Sequence, residues 1–254
     1  MSDKAELLDL ALRVGKKAAE LLSARPDALE VSTKSSDVDI VTQMDKASEA
    51  LIVSSILAER PNDGMIGEEG AERESTSGIT WVIDPLDGTV NYFYGMPGWN
   101  VSIAAKDKDG VLAGVVVSPT INSTWWATRG GGAFHNGKKL TCNDPVELNR
   151  TMLATGFAYE PEKRSLQLDF INKLLPHIRD IRRNGAAAVD LCFVGSGNVD
   201  AYFESGLHEW DIAAGGLIAQ EAGAIMSQHQ IGGQNFVLTA GPHLHQILKN
   251  TLGL

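Results

Sequence analysis

Two carboxylates, Asp84 and Asp87, stand three residues apart directly after the apolar residues 81–83, which are typical of a buried strand. Pro85 disfavours helical geometry at Asp84, so we expect the strand to end there. Gly88 permits a tight turn after Asp87 and leaves the following backbone amides open to an anion. Two hard oxygen ligands beside such a turn are what a divalent cation and a phosphate together require. The alternative interpretation is an ordinary strand-end turn with Asp87 as a helix N-cap.

Further carboxylates lie at the ends of other predicted elements. They are Asp45, Glu68 with Glu69, and Asp211, which follows Trp210. Like charges gathered in one site raise each other's pKa unless a cation lies between them. Oxygen ligands without a cysteine or histidine cluster favour Mg²⁺ over Zn²⁺. The sequence therefore predicts a magnesium site, for which a solvated acidic surface is the alternative.

The elements that must position these groups show both helical and strand patterns. Helices are predicted over residues 3–24 and 44–60, residues 31–39 resemble a mobile loop, and residues 99–140 form a β region that ends in an Asn-Gly hairpin. Further helices are predicted near residues 162–176, 187–197, 211–222 and 242–251. Long helices among mostly antiparallel strands favour a layered α+β sandwich over a doubly wound parallel sheet.

Composition limits the class of protein. The 254 residues suffice for a large core, and we divide them into residues 1–147, with most candidate metal ligands, and residues 148–254, with Asp211, as two tightly packed halves. A formal net charge of −10 without a basic stripe argues against a nucleic-acid partner. The chain shows neither a signal-peptide core nor an apolar run long enough to cross a membrane, and it has only two cysteines. We therefore expect a cytoplasmic protein without a membrane partner.

Three motifs, in this order, resemble the inositol monophosphatase family of Mg²⁺-dependent, lithium-sensitive phosphatases, in particular its bacterial inositol-1-monophosphatase type. They are Gly67-Glu68-Glu69, the run from Trp81 through Asp84-Pro85-Leu86-Asp87-Gly88 to Thr89, and Trp210-Asp211. Stretches at residues 34–45, 130–140, 185–191 and 200–204 are similar to the family as well. The resemblance implies an αβαβα sandwich of the type shared with fructose-1,6-bisphosphatases, and a homodimer. The aromatic residues at 92–97 and 125–126 are consistent with an interface.

The resemblance also implies how two to three Mg²⁺ ions are held. Glu68, Asp84 and the backbone carbonyl of Leu86 would bind the first ion. Asp84, Asp87 and Asp211 would bind a second, weaker one, and Glu68 would reach a third through water.

Catalysis, on the same resemblance, uses water directly. The Thr89 hydroxyl, held by Asp45, and the Glu68 carboxylate would orient and deprotonate the attacking water. The phosphate would be displaced in line without a phosphoenzyme, and no nucleophile paired with a base stands out in the sequence. The implied substrate-binding residues are Asp87, Gly88, Thr89, Gly185, Ala186, Ala187, Glu204 and Asp211.

Several of these assignments have an ordinary structural alternative. Residues 185–188 would also suit close helix packing, and Glu204 would also suit a solvated loop. Asp45 would also suit the first turn of a helix, where an acid is favoured by the helix dipole. Residues 225–236 depart from the family pattern and predict a remodelled edge of the site or of the sheet.

Our first hypothesis is hydrolysis of myo-inositol monophosphate, a small phosphorylated polyol, to myo-inositol and phosphate. The alternatives are a phosphatase for histidinol phosphate, fructose 1,6-bisphosphate or a 3′-phosphoadenosine nucleotide, or a non-catalytic regulatory protein on the same fold.

Overall fold

A computed structural model of the protein describes residues 3–33 and 39–254, and these residues form seven α-helices and fifteen β-strands. The helices are α1 (Asp3–Ser23), α2 (Gln43–Glu59), α3 (Thr89–Phe93), α4 (Pro161–Leu174), α5 (Ala187–Gly195), α6 (Glu209–Glu221) and α7 (Pro242–Leu252). The strands are β1 (Val31–Thr33), β2 (Ile40–Thr42), β3 (Gly64–Gly67), β4 (Glu72–Arg73), β5 (Thr80–Asp87), β6 (Asn100–Asp107), β7 (Gly110–Ser118), β8 (Ser123–Thr128), β9 (Gly132–His135), β10 (Lys138–Lys139), β11 (Met152–Thr155), β12 (Asp180–Arg182), β13 (Ala201–Ser205), β14 (Ile225–Ile231) and β15 (Gln234–Ala240).

Two large sheets organise these strands. The first has eight strands in the order β10-β9-β8-β7-β6-β5-β3-β4, and the second has five in the order β12-β11-β13-β15-β14. Neighbours in the first sheet are antiparallel except β3 and β5, whereas β11 runs parallel to both of its neighbours in the second. The strands of the first sheet precede residue 147 and those of the second follow it. A division into two functional halves at that point stays a prediction.

Helices cover both faces of both sheets. Leu10 and Val14 of α1 and Ile52 of α2 pack on one face of the eight-stranded sheet. Helices α5 and α6 lie between the two sheets, and α4 and α7 cover the outer face of the five-stranded sheet. The result is a five-layer αβαβα sandwich, which confirms the predicted layered fold.

Burial on both faces explains the unbroken apolar runs in the central strands. In β7, Val115 and Val117 point into the α1 layer while Val116 points into the α5–α6 layer, as the alternation of a strand requires. Gly114 allows α6 to lie close to β7, because a Cβ atom there would stand 2.9 Å from the Cα of Ala214.

The predicted helices agree with the structure, but several strands escaped prediction. Residues 31–33 pair with β2 instead of forming a loop, and residues 34–38 lie outside the described part of the chain. Strands β12 and β13 were also missed. The unusual stretch at residues 225–236 forms β14 and the start of β15, an antiparallel hairpin at the edge of the smaller sheet. It turns at Gly232 and Gly233, which both have positive φ.

Candidate active site

Strand β5 does not end at Asp84, as the sequence predicted, but continues irregularly to Asp87. Asp84 pairs with Ser102 of β6 and Asp87 pairs with Asn100, so three residue steps on β5 face two on β6. Pro85 lies in this bulge and has no N–H for the ladder. Bulges re-aim side chains next to active sites. Here the bulge brings both carboxylates into one site.

Local hydrogen bonds fix the shape of the bulge. The amide of Leu86 donates to Asp84 Oδ1 at 3.1 Å, and the Ser48 hydroxyl of α2 donates to the carbonyl of Pro85 at 2.8 Å. The side chain of Leu86 is buried in the core below. Its carbonyl oxygen therefore remains on the site side, 3.1 Å from the Thr89 hydroxyl.

Glu68 reaches the site because β3 and β5 are parallel neighbours. Gly67 is level with Ile83, so the residues that follow, Glu68 and Asp84, emerge side by side at the same sheet edge. Glu49 of α2 supports this turn, because its carboxylate accepts from the amides of Glu69 and Ala71, both at 3.0 Å. Sequence reasoning did not single out Glu49.

Asp211 arrives from the middle helix layer. It lies in the first turn of α6, where its Oδ2 accepts from the His208 amide at 2.6 Å. The carbonyl of the adjacent Trp210 accepts from the Ser102 hydroxyl at 3.4 Å, and Ser102 is the residue opposite Asp84 on β6. The start of α6 is thus attached to the sheet beside Asp84.

The four carboxylates influence one another electrostatically. Burial raises the pKa of Asp84 well above its usual value, and the charges of Glu68, Asp87 and Asp211 raise it further. Burial also raises the pKa of Asp211 well above its usual value, with Asp87 and Glu68 adding to the shift. Glu68, Asp87 and Asp211 of the predicted set therefore lie within electrostatic range of Asp84, although no three of these described side chains are placed to hold a metal ion by themselves.

Three hydrogen bonds hold the Asp87 carboxylate. The amides of Ala187 and Ala188 at the start of α5 donate to its Oδ1 and Oδ2 at 3.2 and 2.9 Å, and Asn100 Nδ2 donates to Oδ2 at 2.8 Å. Burial raises the pKa of Asp87 to about 6, and these donors oppose the rise. Asp87 therefore does cap a helix, but one that begins 100 residues later rather than the next one in the chain.

Thr89 and Asp45 form the predicted pair. The Thr89 hydroxyl donates to Asp45 Oδ1 at 2.9 Å. The other oxygen, Oδ2, accepts from the amide and hydroxyl of Thr42 at 2.8 and 2.6 Å, which closes a capping box at the start of α2. Asp45 is fully buried, and burial raises its pKa although the Thr42 bonds lower it.

Gly88 lies at the contact between the two halves of the candidate site. It opens the short helix α3 with φ of 84°, a left-handed conformation that favours glycine. A Cβ atom there would lie 3.2 Å from the carbonyl oxygen of Gly185 and 3.3 Å from the side chain of Ala186. The predicted residues 88–89 and 185–187 are therefore neighbours, although the Ala187 amide bonds to Asp87 in this structure.

Glu204 lies near the same region, on β13 rather than on a loop. Tyr202 donates from its hydroxyl to Glu204 Oε2 at 2.7 Å. Desolvation raises the pKa of Glu204 to about 7, while the Tyr202 bond and the charge of Arg183 lower it and the charge of Asp87 raises it. Gly156 leaves room for the Glu204 carboxylate, since a Cβ atom at residue 156 would overlap it.

Asp190 is a buried acid that sequence reasoning gave no role. It lies in the first turn of α5, accepts from the Asn184 side chain, and is close enough for the charges of Glu204 and Asp87 to raise its pKa further beyond the effect of burial. The Asn184 carbonyl in turn accepts from Asn91 of α3 at 2.8 Å. This chain of contacts joins α3 to α5 behind Gly185.

The donor set fits a hard divalent cation that keeps bound water. The Asp84 and Glu68 carboxyls lie within hydrogen-bond reach of each other, and a cation beside them would offset the repulsion that contributes to the raised pKa of Asp84. Within residues 3–33 and 39–254, no group of three or more His, Cys, Asp or Glu side chains is placed to hold a metal ion alone. Mg²⁺ is commonly held by one or two carboxylates with waters and other oxygens. Pairs of carboxylates beside the Leu86 carbonyl match that preference.

Other sequence expectations have mixed outcomes. Lys34, in a stretch similar to the family, lies outside the described residues. Trp125 is buried and stacks on His135 with ring centroids 4.7 Å apart, so it offers no interface, whereas Tyr94 and Met96 are 71% and 54% exposed. His245 is buried against Ser227. In the part of the chain that the structure describes, no helix has the length and apolarity to cross a membrane.

The chain is similar to known proteins both in sequence and in structure. The sequence profile of the inositol monophosphatase family matches residues 3–250. The Nus factor SuhB of Escherichia coli (strain K12) is 42% identical over 238 residues, which are 92% of this chain and 88% of the relative. The inositol-1-monophosphatase of Mycobacterium bovis is 40% identical over 221 residues, 83% of this chain and 76% of the relative. The crystal structure of the extragenic suppressor protein suhB from Bartonella henselae superposes with a TM-score of 0.90 at 30% identity, covering 97% of this chain and 98% of that one.

Proposed function

The chain belongs to the inositol monophosphatase family, and we propose that it hydrolyses myo-inositol monophosphate to myo-inositol and phosphate with Mg²⁺ as cofactor. The observation that carries the proposal is the Thr89–Asp45 hydrogen bond beside the carboxylates Glu68, Asp84 and Asp87. A cation-binding group next to a hydroxyl–carboxylate pair is suited to directing water at a phosphate ester.

Glu68, Asp84 and the Leu86 carbonyl would hold one Mg²⁺, Asp84 with Asp87 and Asp211 would hold a second, and Glu68 would reach a third through water. When bound, the ions polarise the phosphoryl oxygens, lower the pKa of water and stabilise the leaving oxygen. The bound ions would favour the ionised forms of Asp84, Asp87 and Asp211, whose pKa values burial raises in the metal-free protein.

Thr89 and Asp45 would act on the attacking water. The Thr89 hydroxyl has one hydrogen, which it donates to Asp45, so its own oxygen is left to accept a hydrogen bond from water. Asp45 is held by Thr42 and has a raised pKa, which makes it a stronger base than an exposed aspartate. Glu68, also a metal ligand, would help to orient and deprotonate the same water.

The substrate would lie between the two halves of the site. The amides of Gly88 and Thr89 would bind the phosphate, and residues 185–187 would border the ring next to them. Glu204 would accept hydrogen bonds from ring hydroxyls, with Tyr202 fixing the carboxylate. Asp87 and Asp211, between these regions, would contact the substrate as well as the metal.

Phosphate release tests the proposal directly. Inositol 1-phosphate, histidinol phosphate, fructose 1,6-bisphosphate and 3′-phosphoadenosine 5′-phosphate are incubated with the protein, with Mg²⁺ and with chelator. We expect Mg²⁺-dependent release mainly from inositol 1-phosphate, inhibited by Li⁺, and its loss in Asp87→Asn. Preference for another substrate would reject inositol phosphate while keeping the mechanism, and no turnover would reject a phosphatase.

A regulatory role is the second candidate. Relatives at 41–42% identity are named Nus factor SuhB. Asp87→Asn separates the two roles in an Escherichia coli strain that lacks its own SuhB. Rescue of the strain by both the parent protein and Asp87→Asn would support a role independent of catalysis, and rescue by the parent protein alone would support catalysis.

We also propose a cytoplasmic homodimer. Both cysteines, Cys142 and Cys192, are buried free thiols, which suits a reducing compartment. The exposed Tyr94 and Met96, on the turn after α3, are apolar area that a second copy would cover. Light scattering after gel filtration should give twice the 27.2 kDa chain mass, and Met96→Glu should shift it to one chain. A monomeric parent protein would contradict the proposal.

A further inference from the structure

Asn100 is a fully buried residue that the sequence did not mark as functional. It is the first residue of β6 and faces Asp87 across the β5 bulge. Its Nδ2 donates to Asp87 Oδ2 at 2.8 Å. Turning the amide around would set its oxygen against the carboxylate, where both atoms are acceptors, so this hydrogen bond fixes the orientation.

The other end of the Asn100 side chain has no partner. Among the residues that the structure describes, Asn100 Oδ1 and Thr239 Oγ1 are the buried side-chain atoms without a hydrogen bond. A buried acceptor without a donor destabilises a folded protein. Native proteins contain few such atoms, and each calls for an explanation. Here the explanation is the hydrogen bond that Nδ2 makes to Asp87.

The hydrogen bonds to Asp87 leave its two oxygens unequal. Oδ2 accepts from Asn100 and from the Ala188 amide, whereas Oδ1 accepts only the longer bond from Ala187. A carboxylate offers about four acceptor positions, two on each oxygen. Both positions on Oδ2 are therefore filled, and one on Oδ1 remains for a further ligand.

We propose that Asn100 is a positioning residue that restricts Asp87 to ligation through Oδ1 and thereby favours Mg²⁺ over Ca²⁺. The inference rests on the proposed function, in which Asp87 is a metal ligand. Mg²⁺ requires a nearly ideal octahedron, while Ca²⁺ accepts more oxygens and bidentate carboxylates. Without the Asn100 amide, Oδ2 regains an acceptor position and Asp87 offers both oxygens, which suits Ca²⁺ better.

Calorimetric titration with Mg²⁺ and with Ca²⁺ tests this on the metal-free protein and on Asn100→Ala. We expect the Mg²⁺ affinity to fall about tenfold, the lower end of the effect of removing a group that supports a metal ligand. The Ca²⁺ affinity should stay the same or rise. Affinities that are unchanged, or that fall by one common factor, would overturn the inference.

Two further variants keep the result interpretable. In Asn100→Val the new side chain cannot donate a hydrogen bond but suits a strand. It should shift the ratio of the Mg²⁺ and Ca²⁺ affinities in the same direction as Asn100→Ala. If Asn100→Ala does not fold, Asn100→Val provides the test. Thr239→Val removes the other buried unpartnered atom, on β15 of the smaller sheet, and should leave the ratio unchanged. An equal shift in Thr239→Val would overturn the inference.

Thermal unfolding in chelator completes the test. The Asn100→Ala change removes a buried unpartnered oxygen and leaves Asp87 with both helix amides, so we expect a folded protein of similar stability.

A parent protein that binds no Mg²⁺ would reject the proposed function, and this inference with it. A parent protein that binds Mg²⁺, with variants of unchanged ion preference, would reject the inference alone.

Discussion

At the scale of single residues, the Thr89 hydroxyl gives the sharpest prediction. Thr89→Ala should lower kcat by roughly 10²–10⁴-fold with little change in KM, because the water loses its link to Asp45. Thr89→Ser keeps the hydroxyl and should retain most of the activity. Steady-state kinetics on all three proteins checks this. Equal losses in the Ala and Ser variants would mean that the methyl group, and not the hydroxyl, is what matters.

Glu204 should affect recognition of the substrate rather than the chemical step. Glu204→Gln keeps the shape but removes the charged acceptor, so we expect KM for inositol 1-phosphate to rise roughly tenfold, as for loss of a hydrogen bond to a charged group. KM for glycerol 2-phosphate, which has no ring, should change little. Tyr202→Phe removes the donor to Glu204 and should give a smaller change in the same direction. A similar rise for both substrates would contradict a role in ring recognition.

A local sequence pattern marks the site residues that sequence analysis found, whereas no such pattern marks the ones that it missed. Asp84, Asp87 and Glu68 end apolar strands, so their positions alone placed them at a sheet edge. Asn100 and Glu49 gave no such signal, because each acts through a partner that lies at least 13 residues away in the chain. Only the folded chain reveals those contacts.

At the scale of elements, the start of α2 couples stability to catalysis. Thr42 caps the helix and also holds Asp45 Oδ2. Thr42→Ala should lower the free energy of unfolding by about 1 kcal/mol, the usual loss for a cap, and should also lower kcat. Thr42→Ser should spare both. Urea unfolding and kinetics on the same preparations check this, and a loss of stability with unchanged kcat would show that Asp45 does not depend on Thr42.

Helices were easier to predict than strands for a physical reason. Helices α4 and α7 carry their own periodicity and begin at prolines, so their bounds followed from sequence within two or three residues. Strand β14 is an exposed edge strand with a polar run, and nothing local distinguishes it from a connection. The continuation of β5 past Pro85 depends on pairing with β6. Local sequence does not predict it, because a proline by itself argues against a continuing strand.

At the scale of the whole molecule, the layers determine where the acids meet. Strands β3 and β5 deliver Glu68, Asp84 and Asp87 at one edge, and the middle helix layer adds Asp211 at the start of α6. Packing energy from five layers keeps these like charges close. In the metal-free protein, part of that stability is therefore opposed by the site itself.

The raised pKa values of the buried acids predict how the stability of the metal-free protein, measured in chelator, depends on pH. The folded protein keeps protons on Asp87, with a pKa of about 6, and on Glu204, with a pKa of about 7, that the unfolded chain releases near pH 4. Between about pH 8 and 6.5 the folded state thus binds more protons, and the free energy of unfolding rises as pH falls. Each group contributes at most about 1.4 kcal/mol per pH unit.

Histidines oppose this gain at lower pH. Burial lowers the pKa of His135, His229 and His245, so below their ordinary value near pH 6.5 the unfolded chain takes up protons that the folded chain does not, which offsets part of the stabilisation from the acids. Saturating Mg²⁺ should raise the melting temperature most at the alkaline end, where it competes with fewer protons. Thermal melts across this range, with chelator and with Mg²⁺, test both statements. A metal-free melting temperature that rises from pH 6.5 to 8 would show that burial does not raise the pKa values of Asp87 and Glu204 as the structure implies.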